Sequence, residues 1–337
     1  MEGWGYSETG GTYVSMDTKL ELMTPLLPLR RLSENLGVDL WIKRDDLFPL
    51  TGGGNKGRKI VYIARDVAHR GADSVVTTGG LQSNHARATA LMAAKHGWKC
   101  KLVLHGEESH MDHPQGNLLL MCLAGADIVV VPPEKIGPTM RESMDEFASQ
   151  GRKPYEIPVG GHMLAGSVAY VEAIKELEYQ RQSGKWIPEC IILASGTGTT
   201  QAGILGGLDM VGWETRVAGI SVARRNPRGR LVVEQAYADL RQHLGVNGSG
   251  RYVDFRDDWT GDGYQRPTDA TIAAIRVAAS VEGLMLDPTY TGKAFAALLD
   301  MIRGGEIKQG SRVLFWHTGG LLNLAACDCF SREVWKT

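Results

Sequence analysis

Two lysines in a glycine-rich stretch are the residues whose types and spacing most directly suggest chemistry. Segment 52–59 reads GGGNKGRK and follows KRDDL at 43–47, where the pattern predicts a loop that turns into a helix. Small neighbours leave room for a flat ligand beside Lys56. A lysine removed from water loses part of its preference for the charged form, and its neutral amine can attack an aldehyde. Lys56 is therefore a candidate Schiff-base lysine, with a solvated Gly-rich turn as the alternative.

A second glycine-rich segment has the features of an anion-binding loop. Segment 195–200 reads SGTGTT, follows an apolar strand and opens a helix. Its glycines let backbone N–H groups point inward, its hydroxyls add donors, and a helix N-terminus favours an anion. It lacks the Gly-Lys-Ser/Thr of a nucleotide P-loop and the downstream acidic residue of a dinucleotide-binding turn. It predicts phosphate binding, with an ordinary Gly-rich helix entry as the alternative.

Segment 79–85, GGLQSNH, also joins a predicted strand to a helix N-terminus. Ser83 or Asn84 could serve only as a helix cap. Gln, Ser, Asn and His in succession, however, provide more hydrogen-bonding groups than a cap needs. Backbone N–H groups and the Ser83 hydroxyl would together suit a substrate carboxylate, so the segment favours a binding function.

Two further segments complete the set of candidate site residues. Segment 287–293, DPTYTGK, places Tyr290 and Thr291 just before a helix, where packing of the tyrosine ring is the alternative interpretation. The glycines of segment 317–320, HTGG, predict close approach of the backbone to a ligand. Together with Lys56 and the phosphate loop they describe a pyridoxal 5′-phosphate site. The aldehyde would meet the lysine, the phosphate would meet the Gly/Thr loop, and ring edges would meet Asn84 and Thr291.

The elements that must position these loops alternate between strand and helix. Such alternation argues for an α/β fold with parallel sheets covered by helices on both faces. Because ligands bind beyond the carboxyl ends of strands in such sheets, the loops 79–85, 195–200 and 317–320 are expected to form one site. Strands are predicted at 74–78, 101–104, 127–131, 190–194, 217–222 and 312–316, and helices at 84–96, 116–124, 200–208, 231–244, 269–281 and 292–302.

Composition narrows the class of protein. A chain of 337 residues with net charge −1 is long for one domain and gives no electrostatic reason to expect a nucleic-acid or membrane-surface partner. Residues 1–18 lack the apolar core of a signal peptide, and no apolar run reaches transmembrane length. The Gly- and Pro-rich stretch 155–166 is predicted to cross between two sheet domains.

The cysteines favour a reducing cytoplasm, because there are five of them and an odd number leaves at least one unpaired. Cys327 and Cys329 lack a second cysteine pair at zinc spacing. They are therefore expected to be buried small apolar residues and not metal ligands.

The motifs resemble those of the D-cysteine desulfhydrase and 1-aminocyclopropane-1-carboxylate (ACC) deaminase group of fold type II, tryptophan-synthase-β-like pyridoxal-phosphate enzymes. The resemblance runs from about residue 26 to 323 and rests on GGNKxRK at 53–59, QSN at 82–84, DPxYxGK at 287–293 and HTGG at 317–320. It implies two three-layer αβα domains in a cytoplasmic homodimer. The large, cofactor-binding domain would comprise 1–56 and 165–337, and the small domain 57–164.

The resemblance also implies which residues hold the cofactor. Lys56 would bind it covalently and move protons, Asn84 would bond the ring 3′-oxygen, and Thr291 would face the ring nitrogen. The phosphate would be held by Lys59 together with Gly196, Thr197, Gly198, Thr199 and Thr200.

For the substrate, the resemblance implies that Ser83, Asn84 and His85 bind the carboxylate. Ser83, Tyr264 and Tyr290 would act beside Lys56 in catalysis, with the tyrosines flanking the substrate. Gly161 and His162 would also bind the substrate.

Two positions separate the branches of this group. ACC deaminases typically carry Gln after Ser-Asn and Glu after the motif tyrosine, whereas this chain has His85 and Thr291, as in D-cysteine desulfhydrases. A carboxylate near the pyridine nitrogen keeps that nitrogen protonated and deepens the electron sink, which a threonine hydroxyl does not. Elimination of a good β-leaving group needs a less deep sink than opening a cyclopropane ring. Thr291 therefore favours β-elimination.

Three departures leave the substrate open. The pairs 162–163 and 265–266 replace the Ser-Asn and the Gly that are usual in the desulfhydrases, and 321–323 replaces a run of small residues and proline. The prediction is a lyase that converts D-cysteine to pyruvate, sulfide and ammonia, or acts on a related β-substituted alanine. The alternatives are ACC deamination, sulfite loss from cysteate, β-replacement in a specialised pathway, and a cofactor-binding protein without catalysis.

Overall fold

Two mainly parallel sheets form the frame of the protein. The computed structural model describes residues 22–181 and 186–330. The strands are β1 (Leu26–Pro28), β2 (Asp39–Lys43), β3 (Ser74–Gly80), β4 (Lys99–His105), β5 (Asp127–Val130), β6 (Pro154–Ile157), β7 (Cys190–Ser195), β8 (Arg216–Ser221), β9 (Asp254–Arg256) and β10 (Arg312–Trp316). One sheet has the order β1-β2-β10-β7-β8-β9 and the other β5-β4-β3-β6. Only β1 and β2 pair antiparallel within these sheets.

Helices follow most of the strands. They are α1 (Arg30–Leu36), α2 (Gly54–His69), α3 (Asn84–His96), α4 (Gly116–Leu123), α5 (Ile136–Ser149), α6 (Leu164–Arg181), α7 (Thr199–Val211), α8 (Arg228–Leu244), α9 (Asp269–Glu282), α10 (Thr291–Arg303) and α11 (Leu321–Ala325). None of those in the described ranges combines the length and apolar character needed to cross a bilayer.

Each sheet is buried on both faces, as parallel sheets usually are. In the four-stranded sheet, α2, α3 and α4 pack on one face and α5 packs on the other, against Val76 and Val103. In the six-stranded sheet, successive residues of β10 point to opposite faces. Val313 and Phe315 pack with α1, α9 and α10, whereas Leu314 and Trp316 pack with α6, α7 and α8. The fold is therefore the α/β arrangement that the alternating pattern predicts.

The strands and helices predicted above are all present, with ends that shift by at most three residues. Helix α3 begins at Asn84 and ends at His96, as predicted, because Ser83 caps its first turn and Gly97 adopts a left-handed conformation after it. The sequence did not reveal α6. Its residues are buried along much of its length, and it lies so close to α7 that a Cβ on Gly203 would be 2.3 Å from the carbonyl oxygen of Ser167.

The crossing predicted at 155–166 does connect the two sheets, but it is shorter than predicted: Pro154–Ile157 is a strand that pairs with β3, so the connection begins after Ile157. The expectation for two of the cysteines is wrong. Cys327 and Cys329 were expected to be buried, but both are partly exposed beyond α11 and are joined as a disulfide. They lie past the last packed helix, where little apolar structure remains to cover them. Cys100 and Cys190 are buried free thiols.

Candidate active site

A cavity of about 250 Å³ lies between the two sheets, at the carboxyl ends of β3, β7 and β10. The loops 79–85, 195–200 and 317–320 all contribute to its wall, which confirms that they form one site. Its described lining residues include three cations, Lys56, Lys59 and Arg224, and no carboxylate. The cavity is therefore suited to a ligand that carries several negative charges.

Lys56 lies in the first turn of α2, and its amine points into this cavity. Its Nζ donates a hydrogen bond to the carbonyl of Gly160, 2.8 Å away. Burial, assisted by the positive charge of Arg224, lowers the pKa of Lys56 to about 8. Gly160 has φ of +68°, and a Cβ there would lie 2.5 Å from Cγ2 of Thr197, so only glycine can present its carbonyl in this way. Roughly a tenth of this amine is therefore neutral at pH 7, far more than for an exposed lysine.

The backbone holds the start of α2 against the last loop of the six-stranded sheet. A Cβ on Gly319 would lie 2.7 Å from the Cα atom of Gly54. The backbone N–H of Asn55 also donates to the carbonyl of Thr318, 2.9 Å away. The two glycine-rich segments therefore touch directly, and this contact fixes Lys56 relative to the far wall of the cavity.

The predicted phosphate loop meets Lys59 at the N-terminus of α7. Lys59 Nζ donates to Thr199 Oγ1 over 2.7 Å, and Asn55 Nδ2 donates to Thr200 Oγ1 over 3.2 Å. Burial, together with the charge of Lys56, holds the pKa of Lys59 well below its usual range. An anion at this helix N-terminus would stabilise the charged lysine. Gly196, Thr197, Gly198 and Thr200 line the cavity; Thr199 does not, and reaches it only through Lys59.

Arg224 is a member of the cavity wall that sequence reasoning missed. It is half-buried just beyond β8, and its Nη1 donates to the carbonyl of Gly196 over 2.5 Å. Within the described residues its guanidinium has no carboxylate partner. Its segment, 223–226, carries no motif that marks a binding site, and only the packing of β8 beside β7 brings Arg224 to the phosphate loop.

Ser83 and Asn84 both line the cavity at the N-terminus of α3. Ser83 Oγ accepts a hydrogen bond from the N–H of Ala86, so this residue does cap the helix as well as facing the cavity. Asn84 Oδ1 accepts from Arg87 Nη1 and Asn117 Nδ2, each 3.1 Å away. Because both neighbours are donors, the oxygen of this amide is fixed toward them and its nitrogen is available as a donor.

Asn323 completes the surroundings of Asn84. Its Oδ1 accepts from Asn84 Nδ2 over 2.6 Å, and its Nδ2 donates to the carbonyl of Gln82 over 2.9 Å. Arg87 also donates to the carbonyl of Gly53, 2.9 Å away, which links this network to the start of α2. The sequence marked 321–323 only as a departure from the family pattern. Asn84 and Asn323 are 239 residues apart along the chain, so no local sequence pattern indicates that they are in contact.

His85 lines the cavity. Its imidazole ring, however, is in a protonation state that cannot bind an anion. Thr77 Oγ1 donates its only proton to the carbonyl of Ile157 over 2.7 Å, so His85 Nε2, 2.9 Å from the same hydroxyl, must be the donor of that pair. Burial, with the charges of Lys56 and Lys59, holds the pKa of His85 well below its usual range. The ring is therefore neutral, with Nδ1 an acceptor. Any contact of His85 with a carboxylate must use its backbone N–H.

Tyr264 and Tyr290 pair on the other side of the cavity. Their hydroxyls share a hydrogen bond, and their rings meet edge-on with centroids 5.8 Å apart. Tyr290 is half-buried, and removal from water holds its pKa well above its usual range. Gln265, where the family usually has glycine, adopts φ of +61°, a left-handed conformation that costs roughly 1–2 kcal/mol. The loop that carries Tyr264 is therefore strained.

Besides Thr199, three predicted site residues do not line the cavity. Gly161 lies behind the ring of His85, and His162 lines a separate groove with Pro227 and Arg228. Thr291 is completely buried: its hydroxyl donates to Asp287 Oδ1 over 2.8 Å and accepts from the Asp287 N–H over 2.9 Å. The hydroxyl expected to face a ring nitrogen is therefore already committed to a carboxylate.

The chain is similar to known proteins over most of its length. The profile of the family described as pyridoxal-phosphate dependent enzyme matches residues 18–319. A D-cysteine desulfhydrase of Yersinia enterocolitica is 37% identical over 307 residues, which are 88% of this chain and 91% of that protein. A Thermotoga maritima protein provisionally named 1-aminocyclopropane-1-carboxylate deaminase is 36% identical over 311 residues, 90% of this chain and 95% of that protein. A crystal structure described as an ACC deaminase homologue superposes with a TM-score of 0.82 at 36% identity, over 89% of this chain and 90% of that one.

Proposed function

The chain belongs to the family of pyridoxal-phosphate dependent enzymes, and on that premise we propose that it is a lyase that eliminates the β-substituent of a small amino acid. The first substrate we propose is D-cysteine, which would give pyruvate, sulfide and ammonia. One observation carries the proposal: the buried, readily neutralised amine of Lys56 opens into the same cavity as the anion-binding N-terminus of α7. The relatives named D-cysteine desulfhydrase supply the choice of substrate.

The cavity fits the chemical demands of pyridoxal phosphate. Lys56 would bind the aldehyde carbon, and Asn84 Nδ2 would donate to the ring oxygen. The phosphate would accept from the N–H groups of 196–200 beside Lys59, and Arg224 would offset its second charge. When bound, the cofactor withdraws electrons from Cα of the amino acid and so makes its Cα–H bond acidic.

The remaining steps belong to residues of this chain. The substrate carboxylate would be held at the N-terminus of α3 by Ser83 and by the backbone N–H groups of Asn84 and His85. Lys56 Nζ would remove the Cα proton once it is released as a free amine. The hydroxyl pair of Tyr264 and Tyr290 would lie on the substrate side and protonate or orient the departing sulfur. The overall reaction consumes one molecule of water: cysteine and water give pyruvate, sulfide and ammonia.

A second candidate is opening of the ACC ring. Thr291 is completely buried and donates its proton to Asp287, so a carboxylate lies one hydrogen bond behind the position where ACC deaminases carry glutamate. The relative from Thermotoga maritima adds weight to the same candidate.

For the molecule as a whole, we propose a cytoplasmic homodimer. Each subunit would have a large cofactor-binding domain of residues 1–56 and 165–337 and a small domain of residues 57–164. The four strands β3 to β6 all lie within the second range, and the six others lie outside it. The cavity would then lie between the domains, so that their relative movement could admit substrate.

Product analysis on the purified, cofactor-loaded protein tests this function. Samples would be incubated with D-cysteine, L-cysteine, cysteate and ACC, and assayed for pyruvate, sulfide, sulfite, 2-oxobutanoate and ammonia. Pyruvate and sulfide in equal amounts, formed preferentially from D-cysteine, is the expected result. Dominant 2-oxobutanoate from ACC would support the second candidate. No product from any of the four would overturn the proposed elimination, and Lys56→Ala provides the matched inactive control.

A further inference from the structure

Lys293 is a buried lysine that the proposed chemistry does not use. It lies in the first turn of α10 and is 0% exposed. A cation at a helix N-terminus is disfavoured by the helix dipole. No carboxylate among the described residues lies within ion-pair distance of it, so its burial needs another source of stabilisation.

Three backbone carbonyls supply that stabilisation. Lys293 Nζ donates to the carbonyls of Thr260 over 2.8 Å, Gly263 over 2.7 Å and Val222 over 3.3 Å. An ammonium group has three protons, and these bonds use all of them. Lys293 does not line the cavity, which separates it from Lys56 as a candidate for covalent chemistry.

The three carbonyls belong to two segments that contribute to the cavity wall. Val222 begins the wall segment 222–224, which includes Arg224. Thr260 and Gly263 belong to the loop 257–266, and the residue after Gly263 is Tyr264. Lys293 therefore ties the Tyr264 loop to the end of β8 from the inside of the protein.

Other contacts hold the first part of this loop: Trp259 packs against the core and its indole N–H donates to Asp300, and Asn226 donates to the Asp257 carboxylate. Lys293 is the buried side chain that reaches Gly263, next to Tyr264. Arg225 donates to the carbonyls of Asp257 and Gly261, but it does so from the exposed surface. Gln265 is in a left-handed conformation, which persists only where the surroundings hold it. Tyr264 itself is 39% exposed, so its own packing fixes it poorly.

We propose that Lys293 is a positioning residue: by bonding the Gly263 carbonyl it holds the Tyr264 hydroxyl against that of Tyr290, and so sets the substrate side of the cavity. Its effect on turnover rests on the proposed function, but its effect on the loop does not. Removing the ammonium would leave the carbonyls of Thr260 and Gly263 with one long backbone hydrogen bond each, of 3.4 Å, and would release the strained loop.

Hydrogen exchange on the cofactor-loaded Lys293→Met protein is the direct test. Methionine fills a similar volume without a donor. Exchange in 257–266 should rise by about tenfold or more, the factor that corresponds to losing one charge-assisted hydrogen bond, while the N-termini of α3 and α7 keep their protection. Leu240→Ala, a core truncation in α8, controls for general destabilisation and should not produce this local pattern.

A double-mutant cycle with Tyr264→Phe links the loop to catalysis. If Lys293 acts through Tyr264, the two losses in kcat/KM are less than additive. Lys293→Gln, which retains a donor, should give intermediate exchange, and it serves as the test variant if Lys293→Met does not fold. Unchanged exchange in 257–266, or fully additive losses, would overturn the proposal. If the parent protein turns over no amino acid but Lys293→Met still raises hydrogen exchange in 257–266, only the proposed function would be refuted.

Discussion

Lys56 Nζ and the carbonyl oxygen of Gly160 are 2.8 Å apart, and this hydrogen bond joins the first turn of α2 to the connection that follows β6. The partner is a neutral carbonyl and not a carboxylate, so it does not hold the proton on the amine as an ion pair would. Burial and the nearby Arg224 then determine the charge of Lys56. The contact holds the amine in place and leaves it easily deprotonated, which is what capture of an aldehyde requires.

Cofactor capture by the apo protein should therefore depend on pH. Because only the neutral amine attacks, and because the pKa of Lys56 is about 8, the rate of pyridoxal phosphate uptake should rise between about pH 7 and pH 9 with a midpoint near 8. The appearance of the lysine-bound absorption band after mixing measures this rate. A midpoint above 10, as for an exposed lysine, would contradict the burial argument, and Lys56→Ala should show no such band.

Replacing Asn323 should disturb the cofactor without unfolding the protein. Asn323→Ala removes the acceptor for Asn84 Nδ2 and the donor to the Gln82 carbonyl. We expect kcat/KM to fall about tenfold and the cofactor absorption band to shift, because loss of one buried hydrogen bond of this kind has about that effect. Asn323→Asp keeps the acceptor and should lose less. Equal losses in the two variants would contradict a role for Asn323 in orienting Asn84.

Arg224 should contribute to cofactor retention. Arg224→Gln removes a cation from a cavity wall whose described residues include no carboxylate, so the dissociation constant for pyridoxal phosphate should rise about tenfold or more. Arg224→Lys keeps the charge and should lose less, although it lacks the planar fork. Equilibrium dialysis measures the constant. Unchanged retention with a selective loss of activity on substrates with an anionic β-substituent would place Arg224 on the substrate instead.

A buried cluster of charged residues beneath α2, which includes Asp45 and Arg58, should make the stability of the protein depend on pH. Asp45 is completely buried and accepts hydrogen bonds from Arg58, Tyr170 and Trp316. The Arg58 guanidinium overcomes the effect of burial and lowers the pKa of Asp45 to about 2. A carboxyl whose pKa is lower in the folded state stabilises the protein above its unfolded pKa and loses that contribution as pH falls.

Asp45 should therefore contribute about 2 kcal/mol to the free energy of unfolding at neutral pH, lost between about pH 5 and pH 2. Asp45→Asn removes this pH dependence and should itself cost about 3–5 kcal/mol, because Arg58 is left partly unpaired in the core. Urea unfolding at several pH values measures both quantities. An Asp45→Asn protein as stable as the parent at pH 7 would contradict the assigned role.

The features that sequence reasoning predicted depend on local signals. Helix α3 was predicted from the helical pattern of 84–96 and a possible cap at Ser83 or Asn84, and the structure places the helix there. The three loops 79–85, 195–200 and 317–320 each follow an apolar strand, and parallel strands bring their carboxyl ends to one region. Lys56 was singled out because its glycine neighbours are adjacent in sequence.

What the sequence could not reveal depends on contacts between distant segments. Arg224 lies in a segment without a motif, and the segments of Asn323 and Lys293 do not indicate what these two residues contact. Only the assembled sheets bring the three residues to the cavity or its supports. The protonation of the His85 ring could not be predicted from the sequence for a similar reason. Thr77 and Ile157, on two other strands, decide which ring nitrogen carries the proton. Helix α6 was missed because it is enclosed by neighbours and has no single apolar face.

The most direct test of the account is to identify the lysine that carries the cofactor. The pyridoxal-phosphate-loaded protein would be reduced with borohydride, digested, and mapped for the pyridoxyl group by mass spectrometry. The account predicts that the label is on Lys56 alone. Label on Lys59 or Lys293, or a loaded protein with no labelled lysine, would contradict it.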